Sequence, residues 1–408
     1  MFELDLIHTV AFGGLALLAG YGLRRVIPPL RTYNLPAPVL GGLLIAILIA
    51  VTRGQGVTLL KFDTSLQSPL MIAFFTAIGF GASLRMLRTG GPQVLRFFVL
   101  ATVFAVVQNL AGILVAVAFG LQPLFGVLAG SVTLTGGPAT GLAFAPLFEQ
   151  AGVTGAGSIA VAAAMGGIIA GGLVGGPLGT LLVRRHNLRP QAEGGAAVVA
   201  GQEIPDEGDL KVSLDPAGDE DGHIFPILKN LVAILVAMWI GSWVSRGFSA
   251  LGVTLPAYIG AMLVAAFIRN VDEGTGWFRL SYRFIDTFGA VALSLFLVIA
   301  LMTLKLWELA GLAVPLLTIV VVQVALAALV AAGPVFRLMG RNYESAVMSG
   351  GFLGFMLGTT ANAMAVMQTL VERYGPAPRA FLVAPMVGAF FIDFTNALII
   401  TGFLNVFT

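Results

Sequence analysis

The chain has 408 residues, 58% hydrophobic and only 10% charged, with a mean hydropathy of +0.95 and a formal net charge of +2. Soluble domains carry about 25% charged residues, so this composition excludes a soluble domain and indicates a polytopic membrane protein. With no cysteine, disulfides, thiolate metal sites and thiol catalysis are excluded, and a charge so near zero gives no reason to expect a nucleic-acid partner.

The first apolar segment begins near Leu6 behind an acidic start, Glu3 and Asp5, so a cleavable signal is not expected. Apolar segments fall at about 6–23, 36–52, 67–84, 97–119 and 156–183. A polar, acidic stretch follows at about 184–223 and is read as a flexible cytoplasmic linker. Apolar segments resume at about 224–245, 256–269, 287–304, 312–333 and 379–405.

Between the fourth and fifth segments lies Ala129–Gly141, A-G-S-V-T-L-T-G-G-P-A-T-G, which no straight membrane helix would contain. Gly136-Gly137-Pro138 should break a helix, because glycine weakens it and proline removes a donor and clashes with the preceding turn. The apolar limbs on either side, about 121–134 and 142–148, are too short to span a bilayer. Backbone freed at membrane depth is tolerated only where protein buries it or where it lines a watery cavity. The stretch is therefore read as a re-entrant hairpin, about 121–149. A second, about 341–372, contains Ser349–Asn362, S-G-G-F-L-G-F-M-L-G-T-T-A-N.

The two halves match at a nearly constant offset. Leu35-Pro36-Ala37 recurs as Leu255-Pro256-Ala257, Phe74 and Leu84 as Phe296 and Leu306, and Val106-Val107-Gln108 as Val321-Val322-Gln323. Gly137 matches Gly358, Glu149 matches Glu372, and Met165 matches Met386. The predicted fold is all-α, with two repeats of five spans and one re-entrant hairpin each: 1–183, the linker 184–223, and 224–408. An odd number of spans per repeat inverts the second copy. Basic residues test this, since they collect in cytoplasmic loops. With both termini outside, only Arg53, Lys61, Arg246 and Lys305 of the 22 basic residues fall on the outer side.

Inverted repeats with broken helices are the pattern of secondary transporters. Half-helix N-termini offer unpaired N–H groups and a positive dipole end to an anion, and unwound carbonyls and hydroxyls offer ligands to a small cation. No lysine or arginine stands mid-span, so an anionic solute would rely on helix ends, hydroxyls and amides. The expected solute contacts are Thr133, Thr135, Gly136, Gly137 and Thr140 in the first hairpin, and Gly358, Thr359, Thr360 and Asn362 in the second. The bland alternative is that these groups only satisfy broken backbone. Asp393, the one carboxylate well inside a span, is expected to bind the coupling cation with Asn396, Ser131 and Gln368. Gln108 and Gln323 read as interhelical glue, and Gly167-x-x-x-Gly171 and Gly172-x-x-x-Gly176 as close-packing motifs. Enzyme readings fail on the residues: His8, His186 and His223 lie at the N-terminal end or in the linker, and an aspartyl protease would need two facing carboxylates where only Asp393 qualifies.

Over nearly its full length the chain resembles the bacterial sodium/glutamate symporter family. The runs that carry the resemblance are L-P-A-P-V-L-G-G-L-L (35–44), L-Q-S-P-L-M-I-A-F-F (66–75), G-V-L-A-G-S-V-T-L-T-G-G (126–137), S-L-F-L-V-I-A-L-M-T-L-K-L-W-E-L (294–309) and V-A-P-M-V-G-A-F-F-I-D-F-T-N-A-L (383–398). The resemblance implies sodium-coupled L-glutamate uptake through the inner membrane, a homodimer, and an elevator-like movement of a hairpin-bearing domain against a scaffold. Two departures fall in the tips. The family pattern reads Gly-Gly-His-Gly-Thr where this chain has Gly136-Gly137-Pro138-Ala139-Thr140, and it has a proline after Gly-Ala-Thr where this chain has Gly358-Thr359-Thr360-Ala361-Asn362. The expected activity is sodium-coupled symport of glutamate or a related small organic anion. The alternatives are a carrier of the same fold with another solute or with proton coupling, and a passive channel or solute-binding membrane protein.

Overall fold

The computed structural model describes residues 2–54, 60–89, 91–190, 220–250, 256–309 and 311–408. The fold is all-α apart from one short parallel pair, β1 (Phe2–Leu4) with β2 (Leu60–Phe62), which brings the N-terminal residues to the same end of the molecule as the loop after the second apolar segment. The first half contains α1 (Leu6–Val26), α2 (Pro28–Thr32), α3 (Ala37–Gly54), α4 (Gln67–Gly81), α5 (Leu84–Thr89) and α6 (Gly91–Ala118). It continues through α7 (Pro123–Val127), a π turn (Leu128–Val132), α8 (Gly137–Gln150) and α9 (Ala156–Arg185). The second half contains α10 (Glu220–Ala250), α11 (Ala257–Thr275), α12 (Tyr282–Met302), a 3-10 turn (Leu306–Leu309) and α13 (Ala313–Val330). A π turn (Ala331–Val335) leads to α14 (Phe336–Leu338), then α15 (Tyr343–Met356) and α16 (Thr360–Tyr374). The chain ends with α17 (Pro378–Met386), a π turn (Val387–Phe391) and α18 (Ile392–Phe407).

All ten expected segments are helical. Six of the described helices are long and apolar enough to cross a membrane, while Ala37–Arg53, Gln67–Gly81 and Ile392–Phe407 are apolar but shorter. The acidic stretch is narrower than expected at both ends, because α9 runs to Arg185 and α10 starts at Glu220; its middle, 191–219, lies outside the described residues.

Packing divides the helices into two bodies, each drawn from both halves of the chain. One contains α1, α3 and α4 together with α10, α11 and α12; the other contains α6–α9 and α13–α18. Small residues set the close approaches in the first body. A Cβ on Gly42 would strike Leu301, and one on Gly79 would strike the Met262 carbonyl. Gly42 and Met262 correspond at the repeat offset, as do Gly79 and Leu301, so one contact is the image of the other. In the second body, Gly167, Gly171 and Gly175 form one face of α9 against Leu357, Asn362 and Val366 of the second hairpin. The Gly167-x-x-x-Gly171 motif is thus a close-packing surface. Gly176 meets nothing within 4 Å, so the Gly172-x-x-x-Gly176 pair does not act as one.

Candidate functional site

The first hairpin enters as α7 and leaves as α8. Its break comes in two steps. Gly130 leaves helical geometry (φ −97, ψ −127), where any Cβ would run into Asn109 Oδ1 and the Gln108 carbonyl of α6. The chain then turns at Thr135-Gly136, and α8 begins at Gly137 in the left-handed region, φ +67. Pro138 does not break the helix, contrary to expectation. It sits in the first turn of α8, where a missing N–H costs nothing and its fixed φ suits the helix. No side chain caps that turn. In the second hairpin the break falls between Met356 and Thr360, and Thr359 caps α16 by accepting from the Asn362 N–H at 3.3 Å.

The two tips touch. A Cβ on Gly137 would lie 3.5 Å from the Gly358 carbonyl oxygen and 3.8 Å from Thr359 Cγ2. Gly137 and Gly358 are themselves repeat counterparts, so the contact joins equivalent points. The N-termini of α8 and α16 therefore converge inside the protein, and their partial positive charges add at one place.

The expected solute contacts divide at this junction. Thr135 donates its hydroxyl to Gln108 Oε1 at 2.6 Å, while Gln108 Nε2 donates to the Met356 carbonyl at 2.8 Å, so one glutamine of α6 joins both tips. Gln323 donates to the Gln108 carbonyl at 2.6 Å, consistent with glue. Thr140 is buried with no hydrogen bond among the described residues and stands against Gly136. Thr359 and Thr360 are half-buried, and Thr360 faces Gly388 in the π turn before α18. Thr133 turns away: it donates to Leu128 O within its own limb at 2.8 Å. Asn362 donates to Ile168 O at 3.0 Å and to Gly354 O at 3.3 Å, which pins the second tip to α9.

The expected cation ligands are partly brought together. Asn396 Nδ2 donates to the Ser131 carbonyl at 3.0 Å, and that carbonyl also receives the Thr135 and Gly136 N–H groups of the first tip. Ser131 Oγ and Asn396 Oδ1 are buried without a hydrogen-bond partner. Asp393, one turn back on α18, is half-buried and makes no hydrogen bond or ion pair among the described residues. Buried oxygens left unbonded are costly and call for a partner. Gln368 does not join this group. It lies on the exposed face of α16, bonded to Glu372 at 3.1 Å and about 12 Å along the helix from Thr360 at 1.5 Å per residue.

Sequence reasoning missed Asn109. Its Oδ1 accepts from the Ser131 N–H at 2.9 Å, holding the π turn in place, and its Nδ2 is a further buried, unpartnered group. The signal is an amide in the middle of a long apolar run, V-V-Q-N-L-A (106–111), beside a glutamine that repeats where the asparagine does not.

Two clefts, 420 and 190 Å³, run down the outer sides of α8 between it and the first body, and both reach Leu142, within one turn of Thr140. Across the larger one, Tyr258 of α11 packs between Phe75 of α4 and Phe144 of α8, with ring centroids 4.9 and 5.2 Å away.

A sequence model of the sodium/glutamate symporter family matches residues 2–376. The chain is 40% identical over 405 residues to the sodium/glutamate symporter of Escherichia coli (strain K12), covering 99% of this chain and 98% of that protein. It is 38% identical over 395 residues to the sodium/glutamate symporter of Haemophilus influenzae, covering 96% and 95%. Among solved structures, a sodium proton antiporter from Methanocaldococcus jannaschii aligns over 98% of both chains at 14% identity with a TM-score of 0.43, a likeness too loose to bear on mechanism.

Proposed function

Since the chain belongs to the sodium/glutamate symporter family, we propose that it carries L-glutamate, or a closely related small organic anion, into the cell together with sodium. The observation that carries this reading is the meeting of the α8 and α16 N-termini at Gly137 and Gly358. An anion held there is met by two helix ends and by the hydroxyls of Thr140, Thr359 and Thr360, with no fixed cationic side chain to trap it. Thr135 and Asn362 shape the tips, and Thr133 only supports its limb.

Sodium is assigned to Ser131 Oγ, Asn396 Oδ1 and Asp393, a set of hard oxygens. The Ser131 carbonyl links them to the tip through the Thr135 and Gly136 N–H groups. A cation bound beside it therefore steadies the tip that receives the anion. Coupling of this kind is reciprocal, so bound solute must tighten sodium by the same factor.

In this reading the two repeats are inverted in an inner membrane, the termini face the periplasm, and both hairpins are re-entrant, the first from outside and the second from inside. Ends that the basic residues assign to one face do meet: Pro190 lies beside Gly375, Ser83 bonds Glu273, and Arg53 stacks on Trp307. The hairpin-bearing body moves against the other as an elevator, within a homodimer. Gly91 and Gly311, repeat counterparts with φ of +72 and +92, stand where the chain passes from one body to the other.

Uptake by the purified protein in liposomes, screened over acidic amino acids and dicarboxylates with and without a sodium gradient, tests this. Uphill accumulation that needs inward-directed sodium is expected. Downhill flux alone would make the protein a channel, and accumulation driven by a proton gradient would replace the coupling ion.

A further inference from the structure

We propose that the groove between the end of α9 and the α13–α14 bend is a binding site for the headgroup of an anionic phospholipid. The groove has a volume of about 350 Å³ and is lined by Leu181, Leu182, Ala332 and Phe336 together with Arg185, Arg337 and Arg341. Its floor is apolar and its rim is cationic, the division of surface presented by a phosphodiester above an acyl chain. The three arginines come from separate places in the chain: the last turn of α9, α14, and the loop before α15. No aspartate or glutamate lines the groove, and none of the three arginines pairs with a carboxylate among the described residues.

Two further observations favour a built site over ordinary surface charge. Arg341 is held at φ +53, a left-handed backbone that glycine or asparagine adopts more cheaply, so its side chain is not there for the turn's sake. The bend that carries Arg337 follows a π turn with Pro334 inside it, and Phe336 is fixed there by the His186 ring, whose centroid is 4.8 Å away. Apolar surface continues from the groove along Leu181, Leu329 and Leu338, all more than half exposed, which gives an acyl chain somewhere to lie. Guanidinium groups match phosphate geometry better than ammonium groups do, and basic pockets between membrane helices on the cytoplasmic side suit anionic headgroups. The site lies at the end of the hairpin-bearing body away from the tips and plays no part in holding the solute.

Native mass spectrometry of the full chain, incubated with phosphatidylglycerol or phosphatidylcholine, tests the inference. Phosphatidylglycerol should be retained in preference to phosphatidylcholine. The combined variant Arg185→Gln, Arg337→Gln, Arg341→Asn should bind it about a hundredfold more weakly, since each charge near an anionic surface is worth about fivefold. Excess inorganic phosphate should leave the lipid in place. Arg25→Gln with Arg31→Gln, which removes exposed charge of the same sign away from the groove, should not change retention. An equal loss in that control would reduce the effect to bulk charge. Displacement by inorganic phosphate would make the site a bare anion site. Retention that appears only after the acidic residues at 203–221 are neutralised would give the groove to the chain's own acidic stretch. Each of these three results overturns the proposal.

Discussion

Thr140 and Ala361 hold matching places near the starts of α8 and α16, yet Thr140 is buried and Ala361 is exposed. The difference runs the length of the two limbs. In α8 only Pro146, Glu149 and Gln150 are exposed, all towards its far end. In α16 Gln368, Thr369, Glu372 and Arg373 are exposed, and so is Ala361 at its start. Both limbs pack mainly on helices of their own body, the first on α9 and the second on α15, α9 and α17, but the first also rests on α12 of the other body. Repeated backbones have thus been given different neighbours, and the cause lies in side chains that do not repeat. Phe144, which packs against Tyr258, has Ala365 as its counterpart, and Tyr258 has Pro38. The aromatic packing of the first hairpin reaches the other body at Tyr258, whereas that of the second, Phe352 with Phe97 and Phe104, stays within its own. Such differences tie the first limb, more than the second, to the other body.

The largest effect should come from the point where the hairpins are most alike. Gly137→Val puts a branched side chain at φ +67 and against the Gly358 carbonyl. Left-handed strain of about 1–2 kcal/mol, with a similar amount for the overlap, corresponds to a loss of roughly a hundredfold in initial uptake. Gly358→Val should lose comparably, because its Cβ would lie 2.9 Å from Asn362 Nδ2 and 3.0 Å from Gly354 O. If Gly137→Val reaches the membrane in normal amount and transports at more than half the normal rate, the tip junction is not the site.

Accessibility should show the asymmetry directly, and the lack of native cysteine leaves no background. With Ala361→Cys and Thr140→Cys made separately, a membrane-impermeant maleimide should label the first, from the α16 side, at least about tenfold faster than the second from the α8 side. Adding Phe144→Ala should narrow that gap, since losing a buried aromatic typically costs about 3–5 kcal/mol and most of this contact exists only while α8 rests on the other body. Equal labelling at both positions without Phe144→Ala would mean that the aromatic trio does not set the resting state.

Asp393→Asn should raise the sodium concentration for half-maximal uptake by about tenfold, the effect of about 1.4 kcal/mol, and change the solute KM little once sodium saturates. Asn396→Ala and Ser131→Ala should move the same quantity in the same direction, because each removes an unbonded buried oxygen. Gln368→Ala should leave it unchanged. A sodium response unaltered in Asp393→Asn makes that carboxylate structural.

Local chemistry was legible where it is written locally. Glycines and threonines inside apolar runs mark both hairpins, with a proline in the first, and the offset shared by Gly137 and Gly358 points to two positions that lie side by side in three dimensions. Pro138 reads as a breaker in sequence because its effect depends on whether it falls in the interior or the first turn of a helix, and the turn at Thr135-Gly136 decides that. Gln368 is expected near the cation, but helical phase puts it on the outer face of α16. Neither Asn109 nor the sorting of helices into two bodies could be read, since both depend on which helices become neighbours after folding.

The smallest effect should come from the passages between the bodies, and it separates a hinge from a turn. Gly91 opens α6 and Gly311 precedes α13 by two residues; both have positive φ, and a Cβ on either would meet nothing within 4 Å. Steric room therefore does not explain glycine there, whereas backbone freedom does. If these passages only turn the chain, Gly91→Ala and Gly311→Ala should strain every conformation alike, lowering the melting temperature while leaving the uptake rate per folded molecule unchanged. If the bodies move about them, the backbone angles differ between end states, and strain of about 1–2 kcal/mol falls unequally on them. The expected outcome is a severalfold fall in maximal uptake rate with solute binding at equilibrium nearly unchanged, similar for the two variants because the positions are repeat counterparts. Stability lost without any change in rate would leave the two bodies without hinges at these glycines and count against an elevator built on them.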